Sequence, residues 1–208
     1  MSRLLARLPA VLLAGVLLAG CGALALPVQP AAPVAGSGQV AAVLAAAPQL
    51  RSGDLVFRRG RDLVSGMVLA QAPDSRFSHV GVVVVDAAGT GIVHAMPGED
   101  RQPGGVRREP LAAFLDPAVA SDAAAYRVPG VDRRALVQRL AGQLGRPFDM
   151  AFEMSSSEAL YCTELALDAL GAAGVVLAPA AQRAPLLREP VVTPDALRQV
   201  PGLQLLAG

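Results

Sequence analysis

Tyr161-Cys162-Thr163-Glu164-Leu165 is the stretch on which the reading of this chain turns. The polar run Ser155-Ser156-Ser157-Glu158 comes before it and the apolar run Leu165-Ala166-Leu167-Asp168-Ala169-Leu170 after it. A helix is therefore predicted to begin at or near Cys162. The first turn of a helix has unpaired backbone N–H groups and the positive end of the helix dipole, and both favour a thiolate. The chain has 2 cysteines and 2 histidines in 208 residues. Cys21 lies in a leader-like segment. Cys162 is thus the thiol left for a folded site, with His79 and His94 as the imidazoles available to it.

Upstream, Phe77-Ser78-His79-Val80-Gly81-Val82-Val83-Val84-Val85-Asp86 is rich in β-branched residues and reads as a buried central strand. Ala87 to Gly91 turns the chain, and Ile92-Val93-His94-Ala95-Met96 returns as a hairpin partner. With the right register, both histidines face one side of that hairpin. Before it come a short strand within Gly53 to Gly60 and an apolar helical pattern over Arg61 to Gln71. After it come a strand at Gly105 to Glu109, a helical turn at Pro110 to Leu115 and a strand at Ala124 to Pro129. An amphipathic helix follows from Asp132 to about Leu144, capped by Asp132 and stopped by Gly145. Thr193-Pro194-Asp195 opens a last short helix beyond a proline-rich loop. This order predicts an α+β fold with a small antiparallel sheet packed against helices.

At the other end, Arg3 and Arg7 precede the apolar run Val11 to Leu18, and Leu18-Ala19-Gly20-Cys21 follows. The pattern resembles a bacterial lipoprotein signal. It implies a signal peptide over residues 1–20, cleavage before Cys21 and lipidation of that cysteine, enough for a stable membrane anchor. Gly22, rather than Asp, after the cysteine implies delivery to the periplasmic face of the outer membrane. Residues 21–47 form an Ala- and Pro-rich tether with a short helix near its end, and the domain is expected over 48–208.

Several classes are excluded. A net charge of +1 with 17% charged residues gives no electrostatic footprint for nucleic acid. The chain has 0 Trp and 3% aromatic residues, so no stacking platform is expected. No phosphate-binding loop, dinucleotide fingerprint or serine elbow occurs. Two histidines and a thiol on three separate elements match no compact zinc motif, so no metal and no cofactor is predicted. A cysteine hydrolase needs a thiol, an imidazole base and a group that orients the imidazole. The competing reading is a pair of core histidines with an inert buried thiol.

Ser52-Gly53-Asp54-Leu55-Val56, Ser78-His79-Val80-Gly81-Val82-Val83, Phe148-Asp149 and Tyr161-Cys162-Thr163-Glu164-Leu165 occur in this order. The set resembles the YiiX/YebB-like proteins over about residues 50–176. These belong to the permuted branch of the NlpC-type papain-like hydrolases, which also holds the lecithin:retinol acyltransferase-like enzymes. The resemblance implies a circularly permuted papain-like fold, a small sheet or half-barrel against helices. Cys162 matches the nucleophile, His79 the base and His94 the third polar position, which is often Glu in YiiX-like proteins and His in acyltransferase-like ones. Tyr161 either shapes the oxyanion site through its backbone or simply packs, while Glu164, Asp54 and Asp149 read as structural. The implied function is an extracytoplasmic cysteine hydrolase of amide bonds in peptides or peptidoglycan stems. Lipid acyltransferase or lipase chemistry, on an amide or ester, is the alternative within the superfamily. A non-catalytic envelope binding lipoprotein is the alternative outside it.

Overall fold

The hairpin that carries the two histidines lies inside a six-stranded sheet with neighbours on both sides. The computed structural model describes residues 37–208 apart from 73, 99–102, 156–157 and 186; the expected signal peptide, Cys21 and most of the tether lie outside the described residues. The strands are β1 (Leu55–Gly60), β2 (His79–Asp86), β3 (Gly89–Met96), β4 (Gly105–Pro110), β5 (Ala120–Arg127) and β6 (Gln204–Ala207). They run in the order β4-β3-β2-β1-β5-β6, and each pairing is antiparallel. The helices are α1 (Gly38–Ala45), α2 (Leu63–Gln71), α3 (Leu111–Phe114), α4 (Arg133–Gln143), α5 (Cys162–Ala172) and α6 (Pro194–Arg198). The protein has the expected α+β fold, an open antiparallel sheet packed against helices.

Side chains alternate across a strand, so each strand of the sheet feeds two cores. On one face Leu55, Phe57, Val80, Val82 and Val84 pack with Leu136 and Leu140 of α4 and with Leu165, Ala166 and Ala169 of α5. On the other, Val56, Val83, Ile92, Ala123 and Ala125 pack with Val40 and Val43 of α1 and Phe114 of α3. Strand β2 is buried on both faces along His79–Val84, which accounts for its nearly continuous valine run. Burying a Val or Leu side chain fully is worth about 1.5–3 kcal/mol. The two layers together hold β2 more firmly than its single-face alternation would.

Three sequence expectations change. The domain begins earlier than residue 48, because Val40 and Val43 of α1 are buried in the second core and Ser37 caps that helix from its Oγ. A sixth strand closes the β5 edge where no strand was read, pairing Tyr126 with Leu205. Leu144 caps the end of α4 and is 48% exposed, since the chain turns away at Gly145 with φ of 83° before Leu144 can rejoin the apolar face. Asp132 does cap α4, accepting from the N–H groups of Arg134 and Ala135.

Candidate active site

His79 is the first residue of β2, and the β2–β3 register Val82↔Val93, continued by one residue, sets His94 across from Gly81. Residues 79 and 81 share a face, so both imidazoles lie on the same side of the sheet. Gly81 makes room for this. A Cβ there would sit on the Ile92 Cγ2 methyl and 3.3 Å from the His94 Cβ. The rings meet edge to face at 5.1 Å between centroids, with His79 Nε2 2.8 Å from His94 Nδ1. Phe114 of α3 floors the pair, its ring 5.7 Å from His79 and 5.2 Å from His94.

A residue that the sequence reading passed over extends this pair. The β3–β4 register Ile92↔Glu109 and His94↔Arg107 puts Glu109 diagonally next to His94 on the same face. Its Oε1 lies 3.1 Å from His94 Nε2, in contact although off the alignment of a good hydrogen bond. A carboxylate favours a proton on the nitrogen that faces it, which makes His94 Nδ1 an acceptor. His79 Nε2–H then donates to Nδ1, and His79 keeps its lone pair on Nδ1. The tautomer of His79 is thereby set from two strands away.

Cys162 is the first residue of α5 and comes from the helical layer on the opposite face. His79 stands at the very end of its strand, so both residues line one cleft at the end of the sheet. The cleft encloses ≈ 660 Å³ including its mouth, and its walls are mainly apolar, among them Val64, Val68, Phe148, Phe152, Leu187 and Val191. Phe152 is, among the described residues, the non-glycine residue with positive φ (55°), a left-handed turn that brings its ring against Phe148 and Tyr161. No hydrogen bond joins Cys162 Sγ to His79, both described residues; the sulfur lies 3.8 Å from Thr163 Oγ1.

Burial pushes the Cys162 thiol up, while the N–H of Val80, the Thr163 hydroxyl and the N–H groups of Thr163 and Cys162 pull it back. Burial takes His79 well below the ordinary histidine value, and the charges of Arg58, His94 and Arg107 push the same way. His94 is also lowered by burial, against the pull of Glu109. Burial alone would raise the Glu109 carboxyl, but His94, Arg107 and Arg58 hold it below its usual range. At rest the site therefore holds a neutral thiol and neutral imidazoles rather than the thiolate that helix position alone predicts. Desolvation outweighs the dipole here.

Arg58, also unread in the sequence, is 3% exposed and sits opposite His79 in the β1–β2 register. It donates to the Phe114 carbonyl at 2.8 Å and to Met96 Sδ at 3.4 Å, and it stacks over the Phe114 ring at 4.5 Å. The other singled-out residues are structural in geometry. The Tyr161 ring is buried, with its hydroxyl accepting from Val192 N–H at 3.4 Å. Its ring packs against Phe152 and lines the cleft beside Cys162. Glu164 sits in the first turn of α5. Asp54 binds Arg51 N–H and Arg127, and Asp149 binds the N–H groups of Ala151 and Glu153.

The fold defined by this sheet, with its histidine strand ahead of its cysteine helix, has a counterpart among solved structures. The crystal structure of the metalloprotein YiiX from Escherichia coli O157:H7 (DUF1105) superposes with a TM-score of 0.63 at 24% identity, covering 76% of this chain and 97% of that one. The protein thus has a YiiX-like fold. No protein-family model and no curated protein matches the chain.

A metal does not fit this site. Among the described residues no group of three or more His, Cys, Asp and Glu side chains is arranged to hold an ion. His79 Nε2 and His94 Nδ1 face each other at hydrogen-bond distance and Glu109 occupies the far side of His94. Two donors, His79 Nδ1 and Cys162 Sγ, remain, and a closed site needs about four ligands.

Proposed function

We propose that this protein is a cysteine hydrolase that cleaves amide bonds, in peptides or peptidoglycan stems, through an acyl-thioester on Cys162. The observation that carries the reading is the line Glu109–His94–His79, which ends on a cleft wall shared with Cys162. Sγ attacks the substrate carbonyl as its proton passes to His79 Nδ1, and the new imidazolium is stabilised through His94 by Glu109. The carbonyl oxygen takes up the electron pair and is met by the Cys162 N–H at the start of α5. Collapse of the tetrahedral intermediate breaks the C–N bond, and the amine leaves with the proton from His79. Water then opens the thioester with His79 as base. Neutral partners at rest suit this concerted transfer, because no ion pair has to be held in a buried site.

The apolar walls of the cleft favour a second reading, in which the acyl group is a lipid chain and the enzyme is an acyltransferase or lipase. The test is to incubate the protein with peptidoglycan fragments and with acyl lipids and to look for the adduct on Cys162 by intact and peptide mass spectrometry. An acyl-Cys162 species that is absent in His79→Ala supports the reading, and the mass added separates the two substrate classes. No adduct with either class would favour a binding module.

Attachment to the cell envelope through a lipidated Cys21 is part of the same proposal and rests on Leu18-Ala19-Gly20-Cys21. Labelled palmitate should enter the wild-type protein and not Cys21→Ser; equal labelling of both would remove the anchor.

A further inference from the structure

Next to the cleft lies a second pocket of ≈ 570 Å³ including its mouth, with which it shares Asp62 and Met96 as a common wall. Three guanidinium groups, Arg58, Arg61 and Arg107, line it beside two carboxylates, Asp62 and Glu109. Both carboxylates are engaged. Asp62 caps α2, accepting from Ser65 N–H at 2.8 Å and Ser65 Oγ at 2.7 Å, and Glu109 serves His94. The guanidinium groups are far less occupied. Arg61 uses its Nε on the Pro117 carbonyl, and Arg107 approaches Glu109 only to 3.8 Å.

Arg58 is the most informative of the three. It is buried with its Nε unpartnered, and its other contacts are a carbonyl, a thioether and an aromatic ring. A buried cation without a direct carboxylate partner is costly to a fold, and such a group is retained where something else completes it. Guanidinium forks match oxyanions, and three of them around one small pocket make a receptor for one.

We infer that this pocket is a subsite for an oxyanion, a carboxylate or a phosphate, carried by the substrate that occupies the neighbouring cleft. The inference rests on the proposed reading of the cleft as a substrate site. It adds that the substrate is anionic at one end and apolar where it passes Cys162.

Cysteine-directed maleimides test it without knowledge of the substrate. N-ethylmaleimide is the neutral reference, and maleimidoalkanoic acids of increasing chain length are the anionic probes. A subsite gives a chain length at which the acid labels Cys162 about tenfold faster than the neutral reagent, the worth of a charge-assisted hydrogen bond. This preference should vanish in Arg61→Gln/Arg107→Gln, whose changes are on solvent-accessible side chains. Using the ratio of the two reagents cancels any change in thiol reactivity. Glutarate and inorganic phosphate as competitors distinguish the anions, since the one that erases the preference names the chemistry. A ratio that is unaffected by chain length, or equal in wild type and variant, would overturn the subsite. Failure of the hydrolase reading looks different, as labelling by both reagents would then be indifferent to His79→Ala while the ratio is retained.

Discussion

Replacing Glu109 with Gln tests whether the three-residue line works as a unit. The change keeps the shape of the side chain and removes its charge. In the structure the carboxylate lies 3.1 Å from His94 Nε2, and the His94 ring is centred 5.1 Å from that of His79. A positive charge on His79 is therefore about 8 Å from the carboxylate, and at an effective dielectric of about 20 the attraction is about 2 kcal/mol. In the proposed mechanism thiolate at Cys162 forms at neutral pH by proton transfer to His79, so its population should fall about 30-fold in Glu109→Gln. The assay is the second-order rate of iodoacetamide alkylation at pH 7, with His79→Ala as the limit and circular dichroism to confirm the fold. His79 is held well below 6.5 and Cys162 above 9, so the proton-transferred fraction should be constant with pH between those values. The rate in that plateau is the quantity to compare. A wild-type rate in Glu109→Gln, with a reduced rate in His79→Ala, would refute the relay and leave His79 acting alone.

Other consequences follow from the same geometry. Gly81→Ala puts a methyl on Ile92 Cγ2 and close to the His94 Cβ, and should lower stability by about 1–3 kcal/mol in urea unfolding while slowing Cys162 alkylation. Burial holds the Glu164 carboxyl at about 7, above its unfolded value, so its ionisation weakens the fold as pH rises from about 4.5 to 7. Glu164→Gln should thus raise the midpoint at pH 8, by about 1 kcal/mol after solvent screening, and leave it unchanged at pH 4. The histidines act in the opposite sense. Both have folded values below 6.5, so their contribution is complete above 6.5 and is lost as pH falls below it. Measured in the Glu164→Gln background, stability should fall by about 1–3 kcal/mol per pH unit on going below 6.5. A flat profile between pH 6.5 and 5.5 would contradict the burial of both rings in neutral form.

Much of this layout was legible in the sequence. Two β-branched segments around Ala87–Gly91 are enough to predict the hairpin, and a polar-to-apolar switch at Cys162 is enough to start α5. Glu109 was hidden because Arg107-Arg108-Glu109 reads as a solvated strand end. Only the register with β3 reveals that 107 and 109 share the face of His94. Arg58 was hidden in the same way by Arg59, although alternation from buried Val56 already pointed it inward. Strand β6 has no signal of its own, since Gln204–Ala207 is four residues long and is held by pairing with β5. The resting protonation state was also out of reach. Helix position is written in the sequence, but the desolvation that opposes it depends on what covers the sulfur.

The line from Glu109 to His79 has one member on each of three successive strands, each displaced diagonally from the last. The sheet thus acts as a ruler, with strand spacing of about 4.8 Å fixing the step between the three side chains. A ruler of this kind is modular. A carboxylate at position 94 would shorten the line by one rung and still end on His79, while the imidazole found there needs Glu109 beyond it as a terminus. Exchange of side chains between rungs can then change what faces His79 without moving any backbone, and leaves Cys162, on a separate helix, in place.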